Sequence, residues 1–217
     1  MEGKRKQLIT AVLVVMVVVL IGIAVYYWFN NSYYISTEDA RVTGDLVKVS
    51  PEVSGKLVEF EAAEGDRVVK DQILGRLEAV NLSDSNIDQS IVRAPISGTI
   101  IKKQANPGEF ESSGQTLAYI IDPQKLYISA NIEETDLSRV KPGQQVDITI
   151  DQFAQTRFSG KVKYVGQAAN SAFSLLPAST SGTFTKVVQK VPVKIEFDPG
   201  NSQLLPGTNA VVKIHVK

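Results

Sequence analysis

The sequence predicts a mainly β protein behind a single N-terminal membrane helix. Three observations carry that prediction: an uncharged apolar run of 22 residues near the start, short alternating runs punctuated by Gly, Pro, Asn and Asp, and an internal repeat. At 217 residues the chain has room for one membrane segment and one or two small domains, and it is too short to be a transporter itself. Lys+Arg and Asp+Glu balance at 23 each, so no basic excess exists to hold a nucleic-acid backbone. There is no cysteine, which excludes disulfides, thiolate catalysis and Cys-ligated zinc. One histidine, His215, leaves little room for His-rich metal sites or paired-imidazole catalysis.

The apolar run extends from Leu8 to Phe29. At ~1.5 Å per residue it crosses a hydrocarbon core of about 30 Å once. Lys4, Arg5 and Lys6 precede it and no Lys or Arg follows until Arg41, so the positive-inside bias keeps the N-terminus cytoplasmic and places the remainder outside. Tyr26, Tyr27, Trp28 and Phe29, followed by Tyr33 and Tyr34, supply rings suited to the headgroup layer. A cleaved signal peptide fits less well, because the run is long and ends in bulky aromatics instead of a small-residue cleavage site.

Beyond the anchor the text repeats itself at an offset of 43 residues: Val53-Ser54-Gly55-Lys56-Leu57 lies on Ile96-Ser97-Gly98-Thr99-Ile100, Gly65 on Gly108, Gln72 on Gln115 and Leu74 on Leu117. Each copy reads as strand, Ser-Gly turn, strand, Gly-containing turn and closing strand, and the two halves need each other to bury their apolar faces. A weaker echo pairs Pro142-Gly143 and the alternation Val146, Ile148, Ile150 with Pro206-Gly207 and Ala210, Val212, Ile214. Val191, Val193, Ile195 and Phe197 alternate as a half-buried strand, which Pro192 biases toward an edge. Ala168 to Thr185, rich in Ala, Ser, Thr and Gly, reads as a long loop. Glu133 to Val140, acidic early and apolar at Leu137 and Val140, reads as one or two helical turns.

Three segments resemble the membrane fusion protein (HlyD-type) family, in its EmrA-type multidrug-efflux branch. They are Thr37-Glu38-Asp39-Ala40-Arg41-Val42 leading to Ser50-Pro51-Glu52-Val53-Ser54-Gly55, then Val92-Arg93-Ala94-Pro95-Ile96-Ser97-Gly98-Thr99-Ile100, and Phe184 to Val193. The resemblance implies a lipoyl-like β-sandwich (barrel-sandwich hybrid) followed by a small β-barrel, with a membrane-proximal part built from the two chain ends. The expected division is a cytoplasmic start (1–7), the anchor (8–29), a linker or strand (30–45), the lipoyl-like domain (46–122) and the barrel with the C-terminal part (123–217). Gram-negative members insert a long α-helical hairpin between the lipoyl halves, whereas here only Ala79 to Ser90 intervenes. Those 12 residues reach about 20 Å out and back, too short to dock on a distant outer-membrane channel.

The candidate chemistry is sparse. A lipoyl or biotinyl carrier needs a lysine at the hairpin between its halves, and none lies between Arg76 and Lys102. His215 falls on the polar face of the last alternating run, with Lys213 and Lys217, as a solvated strand histidine. Asp39, Asp45, Asp84, Asp88 and Glu133-Glu134 lack chelating-loop spacing and read as solvated or turn-capping carboxylates. No S-x-x-K or G-x-S-x-G elbow occurs. No catalytic, cofactor or metal residue is therefore expected.

The expectation is a non-enzymatic, single-pass cell-membrane adaptor, contacting the bilayer through residues 8–29 and exposed at the surface of a bacterium without an outer membrane. The resemblance implies a major-facilitator drug exporter as partner ahead of an ABC transporter, and a homo-oligomer, with neither nucleic acid nor an outer-membrane channel. The competing readings are a surface-anchored binding protein for a wall polymer or small ligand, and a membrane-tethered enzyme.

Overall fold

The computed structural model describes residues 2–79, 88–173, 188–200 and 202–217. Helix α1 (Glu2–Tyr33) is followed directly by strand β1 (Tyr34–Thr43), with no residue between them. The segment Val12–Tyr33 has a mean hydropathy of 2.7 and none of it is buried, the pattern of a helix apolar all round that needs an apolar surrounding. The sequence ended the helix at Phe29, but it continues through Asn30, Asn31 and Ser32. These poor helix formers stay helical because groups from elsewhere in the same unit satisfy the terminal carbonyls, as described below.

Eight short strands make the sandwich: β2 (Leu46–Val49), β3 (Gly55–Phe60), β4 (Arg67–Val68), β5 (Ile73–Ala79), β6 (Ile91–Arg93), β7 (Gly98–Lys103), β8 (Phe110–Glu111) and β9 (Ala118–Ile121). They form two sheets, ordered β2-β9-β7-β4 and β6-β5-β3-β8. In each sheet the two central strands come from one copy of the repeat and the two outer strands from the other, so neither copy can form its sheet alone.

The 43-residue offset is visible bond by bond. Gly65 and Gly108 sit at φ +93 and +98, a region where a side chain is strained. Asp66 accepts from Ala63 N at 2.8 Å and Glu109 from Asn106 N at 3.3 Å. Gln72 accepts from Val69 N and Gln115 from Ser112 N. Across the halves, Gly65 N donates to Ile100 O at 2.8 Å while Gly108 N donates to Leu57 O at 2.7 Å. The repeat partners Leu57 and Ile100, and Leu74 and Leu117, are all buried in one core. Each contributes about 1.5–3 kcal/mol of burial.

The remaining strands, β10 (Tyr127–Glu133), β11 (Gln145–Ile150), β12 (Arg157–Val165), β13 (Lys190–Phe197) and β14 (Asn209–His215), close with β1 into a six-stranded barrel of order β1-β10-β13-β12-β11-β14. The two strands of the weaker echo are direct neighbours, Val146 opposite Ile214 and Ile148 opposite Val212. Their inward residues, with Val193 and Ile195, are fully buried.

Closure overturns the edge position inferred for Pro192, because a closed barrel has no edge strand. Pro192 is accommodated beyond the last registered pair of the β12–β13 ladder, Val165 with Val193, and its carbonyl accepts from Gly166 N at 2.8 Å. The turns expected in 133–140 are a single 3-10 turn at Leu137–Arg139. Of the loop 168–185, Asn170–Phe173 form a 3-10 turn, and 174–187 lie outside the described residues. The same is true of connector residues 80–87, including Asp84.

The chain folds as two units, each discontinuous in sequence. One holds α1, β1 through Arg41 and the barrel strands; the other holds Val42–Tyr127 and Pro199–Thr208. That second, short segment joins its unit through Val42, whose N donates to Thr208 O and whose carbonyl accepts from Gly207 N.

Candidate functional site at the anchor and barrel joint

Cross-strand pairing determines which side chains gather where the membrane helix meets the barrel. Tyr34 of β1 lies opposite His215 of β14 and Ser36 opposite Lys213, so the end of β14 returns to the start of β1. Lys213 Nζ donates to Asn30 Oδ1 at 3.1 Å and sits 4.0 Å from the centroid of the Tyr34 ring. Lys217 Nζ lies 5.1 Å from the Tyr33 ring and 3.4 Å from Ser32 Oγ. The Arg139 guanidinium donates to the carbonyls of Asn31 and Ser32 at 2.7 and 2.9 Å, and Val216 N donates to Tyr33 O. The final carbonyls of α1, which have no partner within the helix, are thus satisfied by a cation 107 and 108 residues away.

His215 is half-buried on the outward face, its Nε2 2.8 Å from Asp147 Oδ2 and its ring edge-on to Tyr34 at 4.9 Å. Asp39 is more than a solvated carboxylate. A bulge in β1 between Thr37 and Ala40 turns it toward the neighbouring strands, where Lys190 Nζ donates to it at 2.8 Å and the Asn131 amide at 3.0 Å. These bonds, Lys190 first, lower the Asp39 pKa, and the same contact raises that of Lys190. The Asn131 carbonyl oxygen of the side chain accepts in turn from Asn170, tying the latch to the start of the 168–185 loop.

Asp39 is lowered, so its contribution is complete above its ordinary value of 3.8 and is lost as pH falls through the folded value below that. Asp39→Asn is expected to remove that acid limb from the barrel's pH–stability curve. The loss should be small and salt-dependent, because both groups are substantially exposed, and it is measured by thermal unfolding between pH 2 and 6 at two ionic strengths.

The other carboxylates are dispersed. Asp45 accepts from the Tyr127 hydroxyl at 3.3 Å, and Asp88 lies 3.7 Å from Arg93. Glu38, Asp39, Arg41, Asp151 and Asn209 border an open cleft of about 460 Å³ beside the β1 bulge. Among the described residues no group of three or more His, Asp or Glu side chains is arranged to hold a metal ion. What the bonds gathered here do is fix the end of α1 to the barrel rim.

Residues 45–122 match the YhbJ barrel-sandwich hybrid domain, and residues 126–214 match the YknX-like beta-barrel domain. The chain is 37% identical over 186 residues to YhbJ of Bacillus subtilis (strain 168), named as a candidate efflux system component, covering 85% of this chain and 81% of that one. It is 29% identical over 150 residues to the multidrug export protein EmrA of Haemophilus influenzae, covering 67% of this chain but only 38% of EmrA. The solved membrane fusion protein Spr0693 of Streptococcus pneumoniae R6 shares the fold with a TM-score of 0.61 at 14% identity, over 85% of this chain and 99% of that one. The family and the exposed apolar helix fit a membrane-anchored, mostly extracytoplasmic protein. The chain belongs to the membrane fusion protein family of efflux adaptors, of the EmrA type that includes YhbJ.

Proposed function

We propose that this chain is the adaptor subunit of an export system: α1 pairs with a transporter in the membrane, while barrel and sandwich stand over the transporter's exit and help route substrate outward, making and breaking no bond. The observation that carries this reading is the direct fusion of an apolar helix to a closed barrel, with helix end and barrel bonded together at Arg139, Lys213 and Val216. A helix end bonded to the barrel rim in this way suits a block held at a fixed place beside a membrane partner. Similarity to a multidrug export protein supports drug or xenobiotic cargo, and a major-facilitator exporter as partner, ahead of an ABC transporter, is part of the same proposal. The division into anchor, lipoyl-like domain and barrel, self-association around the transporter, and display at a cell surface without an outer membrane belong to the same proposal.

The test is purification of the full chain from its native membrane in mild detergent, with crosslinkers placed at the exposed Asp88 and Gln89 of the connector. Recovery of a polytopic exporter with this chain is the expected result. Retention on wall glycan with no permease would favour the binding-protein reading, and capture of an outer-membrane channel would contradict the short-connector argument.

A further inference from the structure

The sequence places no Lys or Arg between Lys6 and Arg41, so the outer end of the anchor looks uncharged. Folding reverses this. Lys213 and Lys217 are carried to the helix end by β14, and Arg139 by the 3-10 turn after β10. These cations arrive only once the barrel has formed outside the membrane, and they therefore do not oppose insertion of the helix.

Their depth follows from the absence of a linker. Tyr34, the first residue of the barrel, stands five positions beyond Phe29, the last residue of the apolar run. At ~1.5 Å per helical residue that is about 8 Å, comparable with the headgroup layer of one leaflet, about 5–7 Å. The rim where β1 begins and β14 ends therefore lies among the headgroups.

The ordinary account of cations at a helix C-terminus is that they satisfy its carbonyls and its dipole. It covers Arg139, which donates to two of those carbonyls, but not the lysines, which meet the side chains of Asn30 and Ser32 and the faces of Tyr34 and Tyr33. An ammonium has three donors, and the bond to Asn30 uses one of those on Lys213. Two carboxylates of this rim are engaged with other groups: Asp136 with Arg139 at 3.3 Å, and Asp147, which lies across the β11–β14 ladder from Lys213, with His215 at 2.8 Å.

We propose that Lys213 and Lys217, held over Tyr34 and Tyr33 at the anchor's outer end, bind the phosphates of phospholipid headgroups in the leaflet beneath the barrel. Arg139 is a positioning residue that fixes the helix end against the rim. The collar lets anionic lipid stabilise the upright barrel. It rests on the anchored reading above.

The test uses the full chain in nanodiscs of phosphatidylcholine alone or mixed with phosphatidylglycerol. Lipid retention is followed by native mass spectrometry, and insertion by quenching of Trp28, the only tryptophan, with acyl-chain-brominated lipid. The wild type should retain phosphatidylglycerol preferentially, and the double variant Lys213→Gln/Lys217→Gln should lose about thirtyfold of that preference, from about fivefold per lysine near an anionic surface. Lys213→Arg/Lys217→Arg should keep it, and added salt should weaken it. Equal preference in wild type and the Gln variant, with Trp28 quenched in both, would overturn the collar alone. An unquenched Trp28 in the wild type would overturn the anchored reading and the collar with it. Equally strong binding of soluble glycerol phosphate would overturn the lipid assignment in favour of a free phosphate site.

Discussion

Gly98→Ala will destabilise the sandwich by about 3 kcal/mol, the upper end of the usual cost of overpacking a core. Gly98 opens β7 at the point where the Ser-Gly turn of the second repeat meets β9. A Cβ there would lie 2.3 Å from Ile121 O and 2.8 Å from Ile120 Cγ2. The first of these atoms belongs to the backbone of a strand already in register with β7, Ile121 opposite Thr99. No rotamer change relieves the overlap, so the strands must part. Hydrogen exchange of the detergent-solubilised chain should show protection falling in β7 and β9 together while the barrel strands keep theirs. Unchanged protection in β7 would mean that the strands do not approach so closely.

Glu111→Val should have the opposite sign, stabilising the same unit by about 1–3 kcal/mol at neutral pH, the usual penalty of a buried unsatisfied polar group. Glu111 occupies in the second half-motif the place that Val68 holds in the first, 43 positions earlier. The pairing confirms the equivalence: Val68 lies opposite Gly98, and Glu111 opposite Gly55. The valine is 4% exposed and the glutamate 2%, and Glu111 Oε2 has no hydrogen-bond partner. Burial, with a smaller contribution from the charge of Glu109, raises the Glu111 pKa above its ordinary value of 4.5.

The folded state therefore keeps a proton that the unfolded chain has released. Stability falls as pH rises from about 4.5 to the folded value and is level beyond it. Denaturant unfolding across pH 4 to 8 separates two causes. Glu111→Gln should flatten the slope but retain a buried polar group, whereas Glu111→Val should flatten it and raise the whole curve. A wild-type curve with no fall over that range would show that Glu111 ionises without penalty.

The repeat made the sandwich legible. Its turns need glycine at Gly65 and Gly108, and its strands need apolar residues at Leu57, Leu74, Ile100 and Leu117, whatever the rest of the chain does. These are demands on local backbone and on a two-residue period, and both are written in the order of residues. Pro192 shows where such local reading stops. Its missing N–H argued for an edge, but whether a sheet has an edge is decided by strands far apart in sequence.

The joint was the least legible feature. Nothing near Arg139 in the sequence points to the carbonyls of Asn31 and Ser32, and Lys213 lies 183 residues from Asn30. The alternation placed Lys213, His215 and Lys217 on one outward face, which is correct, but it could not say what that face meets. Asp39 likewise read as one scattered carboxylate among several until β1, β10 and β13 were set side by side.

By itself the sequence determined an uncharged helix long enough to cross a bilayer, a duplicated strand module and an alternating strand set after it. Each follows from composition or from a spacing of a few residues, where local geometry leaves the chain little choice. Only the tertiary structure decided that β1, from the beginning of the chain, completes the barrel, that each repeat lends its outer strands to the other's sheet, and that three distant cations ring the end of the anchor. Those arrangements are fixed by burial and pairing between segments separated by tens of residues in the sandwich and by up to 181 in the barrel, where Tyr34 meets His215, and no local preference of the chain encodes which distant partner satisfies a given carbonyl or covers a given apolar face.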